Sequence, residues 1–201
     1  MEAVAASRLS NILMDYHDRY PNVVIEVSTN PTGTLIDQTL MGELDLSLVA
    51  DLYVDPRLEI TPIFVENLVL VSDKRLVTFQ TPTDLGANPT LIGFSSRCAY
   101  RTRLTEWVKQ SNLSARVIEI NSYHALLNCI AAGMGVGLIP EVLLEQYPFK
   151  DNLRIHQLPI HLRETITCAI WRKDSIKPSL KAFVDELIKA RNVESTLLSA
   201  G

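Results

Sequence analysis

Cysteine is scarce in this chain, and the three present, Cys98, Cys129 and Cys168, form an odd number with neither metal-ligand nor disulfide spacing. That usage leads one to expect a reducing, cytoplasmic setting. No apolar run approaches the roughly 20 residues of a membrane span, and the N-terminus lacks the charged and apolar regions of a signal peptide. Positive charge is not in excess: 19 Lys and Arg stand against 23 Asp and Glu, with no basic stripe. This argues that the polypeptide alone is not a nucleic-acid binder. His156 and His161, set around Pro159, have no standard metal spacing, and Asp45, Asp51 and Asp55 lack the glycine and closing glutamate of a calcium loop. G-x-S-x-G, H-E-x-x-H and Walker signatures are missing. The expectation is a chain with no catalytic residue, no metal and no cofactor.

Apolar residues are plentiful. They make up 47% of 201 residues, enough to build one large domain or two small lobes around a substantial interior. The most unusual stretch is NSYHALLNCIAAGMGVGLIPE (121–141), with Gly133, Gly135 and Gly137 close together. A phosphate-cradling loop needs glycines between a strand and the start of a helix. Here they follow a helix that Ser122 caps and that carries Ala125, Leu126, Cys129 and Ile130 at helical spacing. Gly133 is expected as a left-handed cap, Gly135 as the residue permitting the tight turn, and Val136, Leu138 and Ile139 as a strand ended by Pro140.

Leu9, Ile12, Leu13 and Tyr16 mark a first helix that stops before Pro21. VVIEVS (23–28) reads as a strand, Leu35, Ile36 and Leu40 as a short helix closed by Gly42, and LDLSLVA (44–50) as the next strand. Strand, helix and strand with tight connections predict a parallel right-handed unit. The pattern recurs: TLIGF (90–94) as a strand, SSRCAYR (95–101) as a polar loop, a helix with Leu104, Trp107 and Val108, then RVIEI (116–120) as a strand. EITPIFVENLVLVSD (59–73) is too long for an ordinary strand and reads as an extended crossing between lobes. Glu141–Tyr147 is expected as a helix and TITCAIWRK (165–173) as a returning strand. Pro178 opens a last helix with Leu180, Phe183, Val184, Leu187 and Ile188 on one face, and the tail after Arg191 is expected to fray.

RLSNILMDYHDRYPNVVIEVSTNPTGTLIDQTLMGELDLSLVA, then ENLVLVSD, then SYHALLNCIAAGMGVGLIPEVLLEQ, then SLKAFVDELI resemble the effector-binding domain of LysR-type transcriptional regulators. GELDL and AAGMGVGLIP, in this order and spacing, carry most of the resemblance, which covers nearly the whole chain. It implies an α/β type 2 periplasmic-binding-protein fold: two Rossmann-like subdomains joined by two crossing strands. Residues 1–69 plus 144–201 would form subdomain I and residues 70–143 subdomain II. Members place a strand immediately before the segment matching MEAVAASRL, so Met1 falls at that strand's end and subdomain I is left one strand short. The winged helix-turn-helix that begins such regulators is not in this chain. The implied role is to bind a small effector in the interlobe cleft and so alter a homodimer, or a tetramer in the full-length protein. DNA would be touched only through the missing N-terminal domain, and no membrane is involved. Leu9, Ile12, Leu13 and Tyr16 suit either the partner or the internal core.

The resemblance places three helix entrances at the effector cleft. Thr32, Gly33 and Thr34 offer hydroxyls and free helix N–H groups suited to a carboxylate or other anion, with ordinary capping by Thr34 as the plainer reading. Ser95, Ser96 and Arg97 supply donors, and Arg101 can form a bidentate fork. Cys98, near a helix N-terminus and among arginines, is expected to have a depressed pKa. Asn121 and Ser122 form the third entrance. Ala50, Asp51 and Glu2 have weaker claims. Two other functions use the same scaffold. A transporter's solute-binding protein should carry an export signal or lipid-attachment cysteine, and an enzyme such as a dehydratase needs a general acid, for which Glu2, Asp51 and Cys98 are poor candidates.

Overall fold

The computed structural model describes residues 1–175 and 177–199, with side chains described as far as Asn192. In chain order the first elements are α1 (Glu2–Ser7), α2 (Leu9–Arg19), α3 (Thr32–Met41), β1 (Ser47–Ala50), β2 (Leu58–Asp73), β3 (Thr90–Gly93), α4 (Ala99–Gln110) and β4 (Arg116–Glu119). There follow α5 (Tyr123–Ala131), β5 (Gly137–Pro140), α6 (Glu141–Glu145), β6 (Leu153–His156), α7 (Ile160–Arg163), β7 (Glu164–Arg172) and α8 (Pro178–Ser199). The chain divides into two compact units. Unit 1 holds Met1–Val65 and Ile166–Gly201, and unit 2 holds Glu66–Thr165. Residues 144–165, assigned to subdomain I from the resemblance, therefore cluster with unit 2. The reason lies in β6, which the sequence reading missed: it pairs antiparallel with the second half of β2, from Leu70↔His156 to Asp73↔Leu153.

In unit 1, β1 pairs antiparallel with β7, Ser47↔Ile170 through Ala50↔Thr167. Alternation of side chains across the pleat sends Leu48 and Ala169 to one face and Val49, Cys168 and Ile170 to the other. The first face packs on Val4, Leu9, Ile12 and Leu187 from the helices and on Ile63 and Phe64 from β2. The second packs on Leu35 and Ile36 of α3. Leu9, Ile12 and Tyr16 are thus buried within unit 1, which assigns them to the internal core. Tyr16 also joins α2 to α8: its hydroxyl donates to the Ser179 carbonyl at 2.8 Å and its ring meets Phe183 edge-on at 5.1 Å. An Arg19–Glu186 ion pair links the same two helices. α8 continues past Arg191 to Ser199, where fraying was expected.

One predicted element does not form. VVIEVS forms no strand, and Val24 is 86% exposed. β-branched residues favour a strand only where a neighbouring backbone edge receives them. The parallel strand–helix–strand unit predicted for this part of the chain is accordingly not observed.

Unit 2 contains such a unit in full. β3 and β4 run parallel, Thr90↔Arg116 through Gly93↔Glu119, joined by α4. β5 pairs antiparallel with β2, Leu68↔Pro140 through Val71↔Gly137. Before it, Val136 bridges Leu91 in parallel fashion. The glycine string is structural. Gly133 follows α5 in the left-handed conformation, φ 82°. Gly135 owes its identity to packing, not to the turn conformation expected of it: a Cβ there would collide with the Thr90 carbonyl oxygen. At Gly137 a Cβ would lie 2.7 Å from Ile130 Cδ1 and 3.0 Å from the Ile92 carbonyl.

Candidate effector site

Parallel strands deliver their carboxyl ends to one edge, and the helix that follows each strand starts there. In unit 2 this geometry is enforced by the backbone: the Ile120 N–H, just after β4, donates to the Gly93 carbonyl at the end of β3 at 2.8 Å. Loop 94–98 and Asn121–Ser122 therefore leave the sheet side by side. Loop 94–98 is a tight turn, with the Cys98 N–H on the Ser95 carbonyl at 3.0 Å. Ser95 is half-buried, and Ser96 and Arg97 are exposed. Across the edge Asn121 is exposed and Ser122 half-buried.

Cys98 precedes α4 and Ser122 precedes α5, each in extended backbone conformation and neither with a side-chain capping hydrogen bond. Ser122 thus occupies the cap position predicted for it without the capping bond. Exposed N–H groups at the start of a helix carry partial positive charge and favour an anion. Two such starts at one edge add their fields.

Arg101 plays a different part from the fork expected of it. Its Nη1 donates to the Phe94 carbonyl at 3.0 Å and to Glu119 Oε2 at 2.8 Å. The side chain lies along Gly93, whose hypothetical Cβ would be 3.4 Å from Arg101 Cβ. The guanidinium therefore ties the loop after β3 to the end of β4. Phe94 and Tyr123, which the sequence reading passed over, reinforce the clamp with ring centroids 4.7 Å apart. Phe94 directly follows β3, whereas Tyr123 opens α5, so no common local pattern marks the pair.

Cys98 is corrected as well. Burial pushes its thiol up, and the N–H groups of Arg101 and Tyr100 with the Arg101 charge only partly offset this. The thiol borders a cavity of about 10 Å³ that also touches Tyr100, Tyr123 and Leu126. That is space for one water, not for an effector.

In unit 1 the third entrance is built differently. α3 begins at Thr32 after Pro31, so Thr34 lies inside the helix and does not cap it. Thr32 Oγ1 instead accepts the Ala50 N–H at 3.3 Å, fastening α3 to the end of β1. Asp51 follows in the left-handed region, φ 66°, its N–H held by the Ile166 carbonyl at 2.8 Å. A strained non-glycine residue is retained only where surrounding bonds fix it. Among the described residues no group of three His, Cys, Asp or Glu could hold a metal ion, and no helix is long and apolar enough to cross a membrane.

This architecture has many solved counterparts. The regulatory domain of CcmR from Synechocystis PCC6803, solved in complex with 2-PG, superposes with a TM-score of 0.79 at 18% identity over 94% of this chain and 93% of that one. The effector-binding domain of QuiR in complex with shikimate gives 0.76 at 14% identity, with 94% and 93% covered. By sequence, the chain is 30% identical over 196 residues to an uncharacterized HTH-type transcriptional regulator, YusT, of Bacillus subtilis (strain 168), covering 96% of this chain and 65% of the relative. It is 32% identical over 175 residues to the HTH-type transcriptional regulator YofA of Bacillus velezensis, covering 87% and 59%. The chain thus spans less than two thirds of the length of these relatives. The LysR substrate binding domain model matches residues 1–192, and the chain belongs to that family of effector-binding regulatory domains.

Proposed function

We propose that this domain binds a small anionic effector at the α4 and α5 entrances of unit 2. Ser95, Ser96, Asn121, Ser122 and the N–H groups at the helix starts make the contacts, with Arg97 at the rim. The observation that carries this reading is the pair of helix starts held at one sheet edge by the Ile120–Gly93 hydrogen bond. A neighbour of the same fold supports it, since the shikimate in its complex carries a carboxylate.

Arg101, Phe94 and Tyr123 hold the loops in place without reaching for the effector. The protein is read as a binder, not a catalyst, acting in the cytoplasm. Effector binding changes transcription through a helix-turn-helix domain of a longer, homodimeric protein. For that, the effector must favour one of two arrangements of the protein by its differential affinity.

A thermal-shift panel tests the anion assignment. Carboxylates and phosphate esters are expected to raise the melting midpoint, and Ser122→Ala or Asn121→Ala to weaken the active compound about tenfold each, a loss of roughly 1.4 kcal/mol. A protein stabilised only by neutral or cationic compounds would refute the proposal.

A further inference from the structure

Helix α4 opens at the effector site proposed above and carries two arginines in its first turns, Arg101 and Arg103. Residues two apart are about 200° apart around a helix axis, so these side chains leave from opposite flanks. Arg101 bonds Phe94 and Glu119. Arg103 reaches a different part of unit 2: its Nη1 donates to the Leu162 carbonyl at 3.3 Å and to the Glu164 carbonyl at 2.6 Å.

The two carbonyls stand on either side of a junction. Leu162 belongs to α7, and Glu164 is the first residue of β7. A guanidinium often satisfies the last carbonyls of a helix, and an arginine that merely closed α7 would need only the Leu162 bond. The shorter bond goes beyond the helix, to β7. Both bonds are charge-assisted, and so stronger than bonds between neutral groups. β7 is a strand on which the chain passes between units, with Thr165 the last residue of unit 2 and Ile166 in unit 1. Arg103 therefore grips β7 just before that passage. Tyr100 and Trp107, one turn to either side of Arg103 on α4, are both buried. Close packing of that kind transmits a displacement along the helix instead of absorbing it.

Resting on the effector site proposed above, we infer that Arg103 is a positioning residue that couples this site to β7. Arg103 is four residues from Ala99, about 6 Å along the helix axis from the N–H groups that face the anion. An anion drawn onto those groups acts on a helix whose flank is tethered to the α7–β7 junction. Coupling is reciprocal, so the position of α4 that suits the anion is also the one the junction comes to favour. The strand leading into unit 1 thereby gains the differential preference that regulation requires.

The test follows backbone amides of the full chain by NMR as inorganic phosphate is added. In the native chain phosphate is expected to shift amides at both helix starts, Ala99 and Tyr123 among them. The amides of Glu164, Thr165 and Ile166 are expected to shift with the same midpoint. In Arg103→Gln the helix-start shifts are expected to persist, and those of residues 164–166 to be lost when compared at equal saturation. Arg103→Lys keeps the charge on a side chain one bond shorter and is expected to lose the same shifts. It separates the carbonyl bonds from the charge and stands in should the glutamine variant fail to fold. Retention of the 164–166 shifts in either variant would overturn the inference and leave the effector site standing. So would their absence from the native chain while its helix starts respond. Helix-start amides that phosphate leaves unmoved in the native chain would remove the effector site itself, and this coupling with it.

Discussion

His156 shows what a single residue can hide. It was weighed only as a metal ligand with His161, yet it is 1% exposed in β6 and serves as an internal bond-former. Its Nδ1 accepts the Phe79 N–H at 3.4 Å, so the neutral ring carries its proton on Nε2 and donates to Ser72 Oγ at 2.7 Å. The Ser72 hydroxyl in turn donates to the Asp73 carbonyl at 2.9 Å, and Phe79 stacks on the ring at 3.9 Å. Burial, with the Arg154 charge adding to it, pushes the pKa down to about 4. A histidine in the unfolded chain titrates near 6.5, so between about pH 6.5 and 4 the unfolded state binds more protons. Stability contributed by the neutral ring is complete above about pH 6.5 and is lost as pH falls through 4, an effect of about 3 kcal/mol. Urea midpoints measured from pH 7 to 4 should fall for the native chain and fall less for His156→Gln; equal slopes would acquit the residue. No local pattern announces this network, because Ser72 and His156 meet only through the β2–β6 pairing. The glycines are a contrast. The left-handed roles of Gly42 and Gly133 were legible from their places after apolar helical runs, whereas the need for Gly135 arises from a carbonyl brought close by the fold. Gly135→Ala is expected to destabilise the protein by about 1–3 kcal/mol in chemical denaturation, since backbone must move to admit the methyl group.

Among whole elements, helices and the buried strands were read well because periodicity and burial agree there. Leu180, Val184 and Leu187 of α8 are all buried, as their spacing implied. The failures share a cause: a strand is completed by its neighbour, and the neighbour is not in the local sequence. VVIEVS has the composition of a strand without a partner edge, and LRIH (153–156) has a partner in β2 without a strand-like composition. The long segment 59–73 was rightly read as extended, and it proves to be one strand in which the unit boundary falls. Leu187→Ala should cost about 2–5 kcal/mol, while Val24→Ala, at a side chain mostly in solvent, should cost under about 0.5 kcal/mol. Equal costs would mean that α8 is not a principal wall of the unit 1 core.

For the molecule as a whole, sequence pattern conveyed the α/β plan; the resemblance implies a return to the first subdomain at residue 144, and the second boundary between the compact units falls after Thr165. The candidate site was legible as positions: polar loops after strands, each followed by a helix. The role of Arg101 was not, since it depends on a Glu119 delivered by the next strand. Unit 2 is a single run of chain, 66–165, with its own sheets and core. A fragment of those residues is expected to melt cooperatively by circular dichroism, whereas residues 1–65 alone are expected to remain unfolded without β7 and α8. A non-cooperative 66–165 fragment would show that unit 2 leans on the rest of the chain.

That arrangement sets an order of events at the ribosome. Unit 1 is written in two instalments, the second supplied only by residues translated after unit 2, which emerges complete in the interval. During synthesis, β1 and its helices wait with an apolar face uncovered until α8 leaves the exit tunnel. Slowing of translation after residue 165 would prolong that exposure and raise the demand for chaperones.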